Sequence, residues 1–136
     1  MPTVKFGKAS LLKLVGVDPR LVKLIMHLDG KELDCDLTIY ETSRTLEKQK
    51  EYVAKGVSKT LDSDHIPNSK GVCNAVDIVP YVNGQPVWDE KLYAKIIPKI
   101  KDEAIMLGLG DVIDFGHYWK SFKDSPHIEI NKEYQL

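Results

Sequence analysis

Three stretches of this 136-residue sequence concentrate the side chains that bind metals and move protons. The first, residues 58–81, carries His65 and, twelve positions later, Asp77. The second, residues 115–119, reads FGHYW; the third, residues 122–130, reads FKDSPHIEI and sets Asp124 three residues before His127. In an extended segment alternate side chains point to opposite faces, so His127 and Glu129 share one face while Ile128 and Ile130 share the other. The same alternation turns Asp77 away from its neighbours Val76 and Ile78. A carboxylate inside so apolar a strand is costly unless it is paired or bound to a metal. Two imidazoles and one carboxylate are a recurring ligand set for catalytic zinc, with a fourth position left to water. Zn2+ held by His65, Asp77 and His127 would acidify water and polarise a carbonyl, which is the chemistry of hydrolysis. A general base is then required, and Asp124, on the turn before His127, is the candidate. A cation is also required for a substrate carboxylate or a developing oxyanion. Arg44, in the segment ETSRT, is the candidate for that role.

The elements that must position these residues follow from local pattern. Asp18-Pro19 reads as an N-cap and first helical residue, followed by an apolar stripe at Leu21, Leu24, Ile25 and Leu28, with Gly30 as the stop. Residues 34–41 alternate, with Cys35, Leu37 and Ile39 on one face, and read as a strand. Residues 45–55 read as a helix closed by Gly56, and residues 57–74, polar and broken by Pro67 and Gly71, as a long loop. A short strand is expected over 75–79, and a turn at Asn83-Gly84. A helix capped by Asp89 is expected to run to Leu107, with Gly108 ending it and a kink or break at Pro98. The last strands are expected over 112–115 and 128–130. Helices come first and strands then surround a loop-borne site, which is the order of an α+β domain rather than of alternating α/β units.

Composition bounds the function classes. A chain of this length fits one domain, 1–136, with a core that needs no disulfide or structural metal. A formal net charge of −1 supplies no basic footprint for nucleic acid. No stretch approaches the ~20 apolar residues of a membrane span, and the opening MPTVKFGKAS lacks the pattern of a secretory signal. Cys35 and Cys73, far apart in sequence, are expected to be buried thiols rather than a redox or zinc-ribbon pair.

The quoted residues resemble the zinc cell-wall peptidases that include D-alanyl-D-alanine carboxypeptidases and L-alanyl-D-glutamate endopeptidases. Ser63-Asp64-His65, Ala75-Val76-Asp77 and Asp124-Ser125-Pro126-His127 stand in that family's order, preceded by the arginine segment at Arg44. The phage L-alanyl-D-glutamate endopeptidases, or endolysins, look most similar, on the FKDSPHIE ending and on Ala-Val-Asp-Ile-Val-Pro-Tyr leading into Asn-Gly and Trp88. The resemblance implies a small antiparallel sheet with helices packed on one side and a zinc site on the open face, as in hedgehog and DD-peptidase folds. It implies Zn2+ at His65, Asp77 and His127, Asp124 as base, and Arg44 on the substrate, with Ser63 and Trp119 beside it. It further implies a monomer acting on peptidoglycan peptide, held in the host cytoplasm until it is released to the wall. The His65-to-Asp77 spacing is longer than in the compact form of the motif, as an insertion over 67–72 would produce. Gly116-His117-Tyr118-Trp119 stands where the family often has Gly-Gly-Asp-Trp.

Two other functions use the same residues. A carboxypeptidase of the same family would trim terminal D-alanine, and a non-catalytic zinc-binding domain would dispense with Asp124. Among individual residues, His27 reads as a helix C-terminal charge, His117 as a pocket histidine, Cys73 as a buried thiol, Asp64 as a solvated charge and Glu129 as a partner that orients an imidazole.

Overall fold

A computed structural model of the chain describes residues 3–42, 51, 53–55, 64–121 and 123–135. Arg44 and Ser63, and most of the helix expected over 45–55, lie outside the described residues. Within that stretch the Lys55 N–H donates to the Glu51 carbonyl at 2.9 Å, one turn of helix.

Two short N-terminal helices, α1 (Lys8–Leu12) and α2 (Pro19–Leu28), lead into strand β1 (Asp36–Glu41). Next come β2 (Ala75–Val82), β3 (Gln85–Pro86), the long helix α3 (Glu90–Met106), β4 (Ile113–Phe115) and β5 (His127–Ile130). The strands form one antiparallel sheet in the order β1-β2-β5-β4, with β3 paired to β2.

The helices lie on one face because their stripes are apolar together with the even-numbered residues of β2 and β5 and the odd-numbered residues of β1 and β4. Leu21, Leu24, Ile25 and Leu28 of α2 and Tyr93, Ile96, Ile97, Ile100 and Ala104 of α3 are buried with Val76, Ile78, Ile128 and Ile130. Burying side chains of this kind contributes roughly 1.5–3 kcal/mol each before the cost of ordering them. The odd-numbered residues Asp77, His127 and Glu129 are thereby turned to the open face. The expected α+β arrangement is thus the one formed.

Both predicted caps form: Asp18 accepts from the Arg20 N–H and Asp89 from the Lys91 N–H, each at 2.9 Å. Asn83 and Gly84 take φ of 53° and 74°, as a two-residue hairpin turn of the mirror type requires. The structure differs from the local expectations at two points, the length of β2 and the absence of a break at Pro98, and adds one helix. Helix α1 was not foreseen, having no side-chain cap and only five residues. Strand β2 runs three residues beyond 79, because the Asn-Gly turn closes it onto β3. Helix α3 continues unbroken through Pro98. Pro98 and Ala94, whose carbonyl loses its helical donor, are both exposed, on the side of the helix that meets solvent.

Candidate metal centre

Sheet register builds the centre. On adjacent antiparallel strands Asp77 of β2 stands directly opposite His127 of β5, and such pairs have neighbouring side chains on one face. Glu41 of β1 faces Asp77 from the other edge. His65 arrives from the preceding loop. The extra residues between His65 and Asp77 fold on themselves: Asn68 exchanges backbone bonds with Val72 and Gly71, and its side chain accepts from the Lys70 and Val72 N–H groups. The loop is tied to the body by the Asn74 N–H on the Asp64 carbonyl and by the bridge between Val17 and Cys73. A closed turn therefore absorbs the added length, and His65 still meets Asp77.

His65 Nε2, Asp77 Oδ1 and His127 Nδ1 form a triangle with every edge 3.2 Å. Ligands about 2.0–2.1 Å from a tetrahedral ion are separated by roughly 3.3 Å, so the triangle has the size a zinc ion requires. The protonation pattern fits as well. His65 Nδ1–H donates to the Thr42 carbonyl at 2.8 Å, which leaves Nε2 as a lone pair. His127 Nε2–H donates to Glu129 Oε1 at 2.8 Å, which leaves Nδ1 as a lone pair. Three acceptor atoms thus converge with no hydrogen between them, in a place where His65 and His127 are buried. Such a cluster calls for a cation. Burial opposes charge on Asp77, yet bonds to His127 and His65 hold its carboxyl far below the usual range. Burial likewise opposes charge on His127, but Asp77 and Glu129 raise its pKa to about 10.

The surroundings extend the network. Burial raises the Glu129 carboxyl, which is hydrogen-bonded to Asp64, and Asp64 accepts from Lys132 Nζ at 2.7 Å. Asp64 is therefore not the solvated charge its sequence position suggested. The Thr42 carbonyl accepts from Cys73 Sγ as well as from His65. No residue type signals such a backbone acceptor, and sequence reasoning missed it. Cys73 itself stays outside the ligand triangle.

Asp124 is exposed, and its carbonyl accepts from the His127 N–H at 3.1 Å, placing it one turn before the ligand. Its backbone lies against Gly116: a Cβ built there would stand 2.3 Å from the Asp124 carbonyl oxygen. Trp119 is half-buried, its ring 5.3 Å from that of His127. His117 is not in the triangle. Its Nδ1–H donates to Ser125 Oγ at 2.9 Å, and Ser125 donates to Glu90 Oε2 at 2.8 Å. Lys123 also pairs with Glu90, 3.3 Å away. The segment carrying Asp124 is thereby bound to the start of α3, a link between residues 35 positions apart that sequence spacing does not reveal.

Known proteins place the chain. Residues 2–134 match the family model described as phage L-alanyl-D-glutamate peptidase. The L-alanyl-D-glutamate peptidase of Escherichia phage T5 is 31% identical over 129 residues, covering 94% of this chain and 90% of that protein. The crystal structure of the Serratia marcescens L-Ala D-Glu endopeptidase ChiX superposes with a TM-score of 0.74 at 30% identity, covering 93% of this chain and 90% of the other.

Proposed function

This chain belongs to the phage L-alanyl-D-glutamate peptidase family, and on that footing we propose that it is a zinc endopeptidase cutting the L-alanyl-D-glutamate bond of peptidoglycan stem peptides. The observation that carries the metal-dependent reading is the triangle of His65 Nε2, Asp77 Oδ1 and His127 Nδ1, with both tautomers fixed from behind.

Zinc bound there supplies Lewis acidity, lowering the pKa of water towards neutrality and polarising the scissile carbonyl. The chain's own groups do the rest. Asp124 takes the proton of the attacking water and returns it to the leaving amine; its exposure and its place one turn before His127 support that role. Thr42 and Glu129 keep the two imidazoles aimed, so the ligands need no rearrangement. Trp119 forms one wall beside His127. Arg44 binds a substrate carboxylate and Ser63 is a further substrate contact, both read from the sequence and outside the described residues. The protein waits in the host cytoplasm and meets the wall once the membrane is opened.

The test is digestion of purified peptidoglycan followed by mass spectrometry, with zinc content measured on the same preparations. Wild-type protein is expected to expose new D-glutamate amino termini, and Asp124→Ala to abolish that product with zinc still bound. Release of D-alanine instead would make the protein a carboxypeptidase, and undiminished lysis by Asp124→Ala would remove Asp124 from the reaction.

A further inference from the structure

Beside the metal centre, on the open face, two large aromatic rings stand together at the surface. Tyr40 and Trp88 meet edge to face with centroids 5.0 Å apart, yet they remain 54% and 53% exposed. Their position follows from register. Tyr40 is the extra residue of a bulge in β1, between the pairs Ile39–Ile78 and Glu41–Asp77. The Val87 N–H donates to the Pro80 carbonyl, which continues the β2–β3 pairing and brings Trp88 level with Val79. The rings thus approach from opposite edges of β2, next to Asp77. Val79, which alternation places on the same face as Asp77, is fully buried.

An uncharged pair of half-exposed rings is a poor site for a carboxylate-rich peptide and a good one for the apolar face of a sugar, since aromatic rings bury large areas while keeping a polar edge wet. The substrate brings a sugar to this distance. In peptidoglycan the amine of the stem's L-alanine is acylated by the lactyl group of N-acetylmuramic acid. From the carbonyl of that alanine to the sugar ring is about two residue lengths, roughly 7 Å. From Asp77 to the level of Val79 and Trp88 is two strand positions, also roughly 7 Å. We propose that Tyr40 and Trp88 form a saccharide subsite that holds the N-acetylmuramyl ring while the bond one residue away is cut. This rests on the peptidase reading above.

Two measurements test it. The first compares turnover of N-acetylmuramyl stem peptide with turnover of the same peptide lacking the sugar. Trp88→Ala and Tyr40→Ala are expected to raise KM for the muramyl substrate about tenfold with kcat kept, as loss of one ring contact implies. The sugar-free peptide should be unaffected, and Trp88→Phe, which keeps a ring, should lose less. Equal losses on both substrates, or none on either, would overturn the subsite. The second is calorimetric titration of the zinc-loaded Asp124→Ala protein, which does not cut the bond, with N-acetylmuramyl-L-alanyl-D-isoglutamine and with L-alanyl-D-isoglutamine. The muramyl compound should bind about tenfold more tightly, and Trp88→Ala should erase the difference. Equal affinities for the two compounds before Trp88 is replaced overturn the subsite whatever the turnover. A wild-type protein that cuts neither substrate while the titration shows the difference overturns the peptidase reading and keeps the subsite.

Discussion

The bond from His127 Nε2–H to Glu129 Oε1, at 2.8 Å, turns the other ring nitrogen of His127 towards Asp77. Both residues project from the same face of β5, so strand geometry alone delivers the ligand and the group that orients it.

Glu129→Ala is therefore expected to weaken zinc binding by about 10–100-fold, the usual cost of losing a carboxylate behind a ligating histidine. Glu129→Gln, which still offers an acceptor oxygen, should lose less. Chelator competition reads both variants. An Ala variant that binds zinc as tightly as wild type would show that packing alone fixes the His127 ring.

How far the sequence could carry this picture depends on where the information resides. Alternation in β2 and β5 made Asp77, His127 and Glu129 readable, because a period of two is a local property. The caps at Asp18 and Asp89 and the Asn83-Gly84 turn were readable for the same reason. The Thr42 carbonyl was not, since every residue type carries one. Asp64 was misjudged because its partner Lys132 lies 68 positions away and reaches it only after the sheet forms. Pro98 does not break the helix, because it sits on an exposed position of α3. The Tyr40–Trp88 pair needed both a bulge and a hairpin register before its two rings were known to meet.

Asp18 gives a pH-dependent prediction. Its buried carboxylate caps α2 and binds the Arg20 guanidinium at 2.9 Å, and Arg20 in turn donates to the Tyr134 carbonyl. The hydrogen bonds from Arg20 outweigh burial and lower the carboxyl's pKa in the folded state. A depressed folded value means that the stabilisation is present above the unfolded pKa, about 3.9, and is lost as pH falls below it. Asp18→Asn keeps a capping oxygen but loses the charge on Arg20, so it should be less stable than wild type near neutral pH, with the gap narrowing as pH falls below the unfolded carboxyl pKa. Denaturant titrations at several pH values check this, and a gap independent of pH would mean that the charge on Asp18 contributes nothing.

Gly116 is set by close approach rather than by backbone conformation. A Cβ there would stand 2.3 Å from the Asp124 carbonyl oxygen and 3.2 Å from the His127 Cβ. Gly116→Ala must push the 124–127 turn outward, at a cost of about 1–3 kcal/mol. It should lower the melting temperature and turnover together. Gly7→Ala, where the added atom meets nothing within 4 Å, serves as the control. A Gly116→Ala protein with unchanged melting and activity would mean that the turn yields without consequence.

Ser125 links the Asp124 segment to α3 through Glu90 and accepts from His117, and its own side chain is buried. Ser125→Ala takes the acceptor from the partly buried His117 N–H, which has Glu90 Oε2 3.8 Å away as its other neighbour, at a cost of about 1 kcal/mol. Because the anchor lies beside Asp124 and not among the ligands, the variant should lose kcat while zinc affinity and KM hold. Glu90→Gln retains an acceptor for Ser125 and should be milder. Kinetics on the sugar-free stem peptide, with zinc content measured in parallel, separates these outcomes. A Ser125→Ala protein that loses zinc would place Ser125 behind the metal ligands, and one with full kcat would show that Asp124 holds its position without this chain of bonds.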